Sequence, residues 1–223
     1  MPVRSYNPFY MPDLLIVDDH SIVRTGLKMV VQDFLAHCNI DEAEDGDSAF
    51  AKIRAHDYDL IMLDVNMPNT DSFGLVTSIL ALKSDAKIIM FSMNAEEIYA
   101  KRYLKMGVMG YLRKDAPGDG IQKAIETVLN NRRYISDELS QKLLHDLHAR
   151  GDEENPFDKL SPREFEIVQH LANGESVAEI SKKLSLHTST IGTHKARIFE
   201  KLQCHNVVEI NKLAKAHNII FSS

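Results

Sequence analysis

Cysteine is scarce: Cys38 and Cys204 are the only two in 223 residues, and they lie far apart in sequence. That scarcity excludes a disulfide framework and suits a reducing cytoplasm. No long apolar run occurs, so nothing reads as a membrane span or a secretory signal. Residues 1–12 carry Pro2, Pro8 and Pro12 without a continuous apolar core; they read as a loose tail, with Met11 as an alternative start. The ten histidines are scattered without zinc-ligand spacing, so no structural zinc site is expected. The apolar content of 44% is ordinary for a globular protein, and the length suits two modest domains.

The formal net charge of −6 hides an asymmetry. Residues 159–223 hold nine Lys and Arg against six Asp and Glu, so the acidic excess lies entirely before them. A basic C-terminal portion behind an acidic body points weakly to a nucleic-acid-binding tail.

The strongest feature lies near the start. The run Leu14-Leu15-Ile16-Val17 ends in Asp18-Asp19, and Leu60-Ile61-Met62-Leu63 ends in Asp64. Short apolar runs bounded by polar residues suit parallel strands covered on both faces, and binding sites of such sheets lie at the carboxyl ends of the strands. Three carboxylates gathered there raise one another's pKa unless a cation sits among them, and a hard oxygen cluster suits Mg²⁺. Acidic residues at strand ends are also ordinary solvated loop chemistry. Two further strand ends argue for a site: Lys87 to Phe91 delivers Ser92, and Gly110 to Arg113 delivers Lys114. A hydroxyl and an ammonium at the same edge match the terminal oxygens of a phosphoryl group.

Helical spacing separates the strands, over Ser21 to Phe34 (Ile22, Val23, Leu27, Val30, Val31, Phe34), Asp47 to Ala55, Phe73 to Leu82, Glu96 to Met106 and Gly120 to Asn131. Strand and helix alternating five times predict a doubly wound, five-stranded parallel α/β sheet. The acidic run Asp41 to Asp47 reads as a solvated connection.

On these residues, 13–131 resemble the flavodoxin-like receiver domain of two-component response regulators. The resemblance rests on the acid pair Asp18 and Asp19, on Asp64 followed by Met67-Pro68, on Ser92, and on Gly107 to Lys114 with Tyr111. It implies that Asp64 is the phosphoacceptor for a sensor histidine kinase and that Ser92 and Lys114 read the phosphoryl group. Tyr111 would be the switch aromatic that follows Ser92 inward, although a buried Tyr can also be plain core filling. Mg²⁺ would be held by Asp19, Asp64 and the backbone carbonyl of Asn66, with Asp18 acting through water.

Residues 132–158 break the alternation and read as a linker. Ser136 caps a short helix over 137–148, and residues 151–156 are expected to be exposed. From 159 to 223 a small all-α domain is predicted. Ser161-Pro162-Arg163-Glu164 is a capping box with Pro at the first helical position, Asn173-Gly174 stops that helix, and Ser176 starts a second. A tight turn leads to a third helix from Thr188 to Leu202, where Thr188 can act as cap, and Val207 to Ala216 forms a fourth. Two short helices joined by a brief turn are a helix-turn-helix unit.

With Thr190-Ile191-Gly192-Thr193-His194 running through to Lys201-Leu202, residues 160–214 resemble the LuxR-type DNA-binding domain of NarL/FixJ response regulators. The implied partner is double-stranded DNA carrying an inverted repeat. Thr190, Thr193, Lys195, Arg197 and Lys201 would face it from the third helix, unless its Lys and Arg are simply a solvated face. An apolar strip on the last helix (Val207, Val208, Ile210, Leu213) predicts a homodimer. Gly192 inside a helix costs up to about 1 kcal/mol relative to Ala, which points to close approach by DNA or by a neighbouring helix.

The expected function is a cytoplasmic transcription regulator switched by phosphorylation. It would not be an enzyme beyond slow self-dephosphorylation, and it would have no membrane partner. Haloacid-dehalogenase-type phosphatases also use a strand-end Asp but need a second Asp two residues on, where this chain has Asn66. A regulator with a degenerate receiver is the other rival, and intact Asp64, Ser92 and Lys114 weigh against it.

Overall fold

The computed structural model describes residues 11–35, 37–68, 70–93, 96–141, 155–184, 186–217 and 219. The chain divides into two compact units, one up to Asp146 and one from Leu147. The tail over residues 1–10, the end of the helix expected at 137–148, and residues 151–154 lie outside the described residues.

The first unit is built on β1 (Asp13–Val17), β2 (Asn39–Ala43), β3 (Leu60–Asp64), β4 (Ile88–Ser92) and β5 (Gly110–Arg113). All neighbours are parallel, in the order β2-β1-β3-β4-β5. The strand order reverses between β1 and β3, the switch point where such sheets open a crevice. Leu14, Leu15, Ile16, Leu60 and Leu63 are completely buried, because helices cover both faces.

Those helices are α1 (Ser21–Phe34), α2 (Gly46–Ala55), α3 (Ser72–Leu82), α4 (Glu96–Met106) and α5 (Gly118–Leu129). The inward face of α5 is Ile121, Ala124, Ile125 and Val128, an i, i+3, i+4, i+7 stripe; Leu27 and Val31 do the same for α1. Asp45 and Asp71 cap α2 and α3 by accepting from Ser48 N and Gly74 N. The turn after α4 needs a positive φ of 111°, which Gly107 adopts without steric cost.

Two expectations need correcting. Asp41 and Glu42 are not in a connection but in β2, an edge strand in which Asn39 and Asp41 are exposed, Ile40 and Glu42 half-buried and Ala43 buried. Ile22 shares the helical spacing of α1 but is 85% exposed, because it sits beyond the edge of the buried stripe.

The second unit has α6 (Pro162–Ala172), α7 (Val177–Lys183), α8 (Thr188–Leu202) and α9 (Val207–Ala216), preceded by a 3-10 turn, Pro156–Lys159. Both expected capping boxes form, Ser161 with Glu164 and Ser176 with Glu179. Three differences from expectation appear. The described part of the unit begins at Asn155, ahead of the expected 159: Asn155 caps the 3-10 turn, and Phe157 is fully buried edge-on to Phe165. The exposed linker therefore ends earlier than Pro156. The cap position of α8 is His187, whose side chain makes no capping bond, and Thr188 is already helical.

Candidate functional site

Strand register builds the first site. Val17 pairs with Leu63 across β1 and β3, so the next residues, Asp18 and Asp64, emerge side by side. Asp64 pairs with Phe91, which puts Ser92 one step beyond, and Ser92 pairs with Arg113, which does the same for Lys114. Asp18, Asp64 and Ser92 are almost wholly buried.

The Lys114 ammonium bridges the two carboxylates, 2.6 Å from Asp18 Oδ2 and 2.9 Å from Asp64 Oδ2. Burial raises the Asp64 pKa, because a desolvated carboxylate disfavours charge, and the Lys114 bond only partly opposes this. For Lys114 burial alone would lower the pKa, but its bonds to Asp18 and Asp64 win and leave it raised. The lysine therefore stays charged.

Three carboxylates face this one ammonium, with Asp19 three-quarters buried at the rim. His20 was not singled out from sequence, although it directly follows the acid pair; its ring lies 2.9 Å from Asp19 and its N–H donates to Asp18 at 2.8 Å. Ligand atoms of Asp18, Asp19, His20 and Asp64 all lie within 4.8 Å of one another. Apart from the lysine contact, Asp18 Oδ2 and Asp64 Oδ2 are buried without a hydrogen-bond partner. An acidic, under-neutralised cluster of this kind fits a divalent cation. Asn66 lies at the same edge, its N–H donating to Asp64 Oδ1 at 3.1 Å.

Supporting contacts fix the loops. Arg24 donates to the Asp18 carbonyl at 2.6 Å, and Ser72 Oγ donates to the Val65 carbonyl at 2.6 Å. Neither residue was anticipated: each sits in the helix that directly follows its strand, six and seven residues on, and a side-chain bond to a backbone carbonyl leaves no pattern in the sequence. Tyr111 is already inside: it is completely buried, bonded to Ser92 and 6.3 Å from the Tyr103 ring. Burial holds its phenol far above the ordinary value.

The second site is the outer face of α8. Gly192, Thr193, Ala196 and Arg197 are exposed, whereas Ile191, Ile198 and Leu202 are buried. The Thr193 hydroxyl donates to the Ser189 carbonyl at 3.0 Å. Thr190 is half-buried, and Lys195 leans over the Phe199 ring at 5.6 Å. Lys201 departs from the expected group, because its ammonium lies 2.6 Å from the buried Glu164 carboxylate. That charge is already matched within the fold. Burial would raise the Glu164 pKa, but the Lys201 bond and the Ser161 amide hold it below the usual value.

Known families match both units. Residues 14–126 match the response regulator receiver domain, and residues 158–214 match the LuxR family of bacterial regulatory proteins. The response regulator UvrY of Escherichia coli (strain K12) is 31% identical over 209 residues, 94% of this chain and 96% of that protein. The response regulator GacA of Pseudomonas aeruginosa is 32% identical over 210 residues, 94% and 98% of the two chains. Among solved structures, RcsB from Salmonella enterica serovar Typhimurium, bound to promoter rprA with the phosphomimetic BeF3−, has a TM-score of 0.65. It is 25% identical, covering 92% of this chain and 98% of that one. With both halves matched in order and the curated relatives aligned nearly end to end, the chain belongs to the two-component response regulators that join a receiver domain to a LuxR-family regulatory domain.

Proposed function

We propose that Asp64 accepts a phosphoryl group from a sensor histidine kinase and that this controls dimerisation and duplex-DNA binding by the second unit. The observation that carries the reading is the Lys114 ammonium seated between Asp18 and Asp64 at the switch point of the sheet. An Asp64 carboxylate oxygen attacks phosphorus in line, and the bond to the kinase imidazole breaks on the opposite side. Lys114 moves from Asp64 Oδ2 to a phosphoryl oxygen, and the Ser92 hydroxyl donates to another. Mg²⁺, held by Asp19, Asp64 and the Asn66 carbonyl with Asp18 through water, would neutralise the charge that gathers there. Capture of Ser92 by the phosphoryl group withdraws it from Tyr111, so the aromatic and α4 settle into a second arrangement.

The outer face of α8 would enter the major groove, with Arg197 and Lys195 on phosphates and the Thr193 and Ala196 methyls against base edges. Val208, 64% exposed on α9, offers an apolar contact for a second copy, and a two-fold dimer demands inverted half-sites. RcsB, a relative of this architecture, has been seen on promoter DNA. A DNA partner supports a cytoplasmic location. Among the described residues no helix is long and apolar enough to cross a membrane. We read the receiver as a phosphoacceptor rather than an enzyme, because Asn66 stands where a phosphatase would need a general acid.

The test is duplex binding by the full chain before and after treatment with acetyl phosphate and Mg²⁺. Affinity for an inverted repeat selected from random sequence should rise in the parent and stay unchanged in Asp64→Asn. An equal rise in both proteins would overturn the assignment.

A further inference from the structure

The segment that leaves α5 is fastened to the parts of the receiver that would respond to phosphorylation. Tyr134 is buried against the outer edge of β5: its N–H donates to the Met109 carbonyl at 2.8 Å, and it pairs with Gly110 in parallel fashion. The fit is close, since a Cβ on Gly110 would come within 3.3 Å of Tyr134 Cβ. Gly110 is the immediate neighbour of Tyr111. Two residues further on, the Ser136 N–H donates to the Glu96 carboxylate at 3.1 Å. Glu96 opens α4 and is 7% exposed. A polar group that deeply placed costs free energy when its hydrogen bond is lost, so this bond is costly to break. Ser136 also caps the helical turn at residues 137–141, its Oγ accepting from Leu139 N at 3.0 Å, and Leu139 is buried.

We infer that Glu96 is a positioning residue that latches the outgoing segment to α4, so that movement of α4 is handed directly to the chain leading into the second unit. The inference rests on the phosphorylation reading above and adds its route. Among the described residues the segment is also tied to β5, whose ladder is set by its pairing with β4, and through the exposed Lys123–Asp137 pair at 2.8 Å, which water screens. The Glu96 bond joins the cap of the outgoing helix to a helix that Tyr103 connects to Tyr111. A shift of α4 would remove the acceptor from the Ser136 N–H and leave the cap of the 137–141 turn without its anchor. The latch couples two arrangements through one buried hydrogen bond, and a coupling of about tenfold corresponds to ~1.4 kcal/mol.

The test follows hydrogen exchange at Ser136 and residues 137–141 in the full chain, with and without beryllium fluoride and Mg²⁺, alongside phosphorylation and DNA binding. In the parent, exchange at Ser136 should change together with α4 on adding the phosphomimetic. In Glu96→Ala the Ser136 amide should exchange about tenfold faster in both states, Asp64 should still be phosphorylated, and the DNA-binding response should disappear. Glu96→Gln, whose amide oxygen still accepts, should keep the response. A parent that is phosphorylated while its Ser136 amide is unmoved would overturn the latch alone, as would a parent-like response in Glu96→Ala or its loss in Glu96→Gln. A parent that takes no phosphoryl group would overturn both readings. Should Glu96→Ala fail to fold, the parent comparison and Glu96→Gln still decide.

Discussion

Replacing Gly192 by Ala should make the second unit more stable and a poorer DNA binder. Gly192 is the fifth residue of α8 and is exposed. A Cβ built there meets nothing within 4 Å, which removes a neighbouring helix as the reason for the glycine. Alanine is favoured over glycine in a helix interior by about 0.8–1.0 kcal/mol. For a unit of this size, about 1 kcal/mol raises Tm by roughly 4–8 °C. On the same face lie Thr193, Ala196 and Arg197, so the added methyl would stand between helix and groove. A tenfold loss of affinity, ~1.4 kcal/mol, is the expected order. Circular dichroism melting of the full chain reads the first effect and fluorescence anisotropy of a labelled duplex at fixed salt reads the second. An unchanged or lower Tm would refute the open space around Gly192. A raised Tm with unchanged affinity would refute close approach of DNA.

Lys201→Ala should cost the second unit about 1 kcal/mol, a discounted figure because the lysine is 39% exposed, and should leave the salt dependence of DNA binding unaltered. Because Glu164 is held below its ordinary 4.5, the contribution of this pair is fully present above that value. It fades as pH falls through the lowered pKa, so denaturant unfolding of parent and variant should converge in acid. Arg197→Ala should weaken binding to all sequences and reduce the salt slope by about one unit, while Thr193→Val should shift preference among sequences in a selection experiment. Lys114→Ala should still be labelled at Asp64, by phosphate-affinity electrophoresis, but should lose the DNA-binding response.

Local signals carried the sheet and its site. β1, β3 and β4 are continuous apolar runs and β5 a short Gly-Tyr-Leu stretch, and each leads into the residue its register delivers, so Asp18, Asp64, Ser92 and Lys114 were legible together. β2 was not, because an edge strand buries one face and Asn39-Ile40-Asp41-Glu42-Ala43 reads as polar. Ile22 has helical spacing but lies off the buried stripe, which spacing alone does not settle. The partner of Lys201 lies 37 residues away and that of Ser136 lies 40 away. Neither pairing leaves a pattern in the chain, since a single charge or a backbone N–H has no periodicity. Phe157 looked like linker for the same reason: one aromatic among polar residues shows its role only when Phe165 is beside it.

The central claim is that Asp64 is the phosphoacceptor, and intact mass with peptide mapping after acetyl phosphate treatment tests it most directly. One phosphoryl group per chain, mapped to the peptide carrying Asp64, dependent on Mg²⁺ and absent from Asp64→Asn, is the predicted result. Full labelling that persists in Asp64→Asn would contradict it.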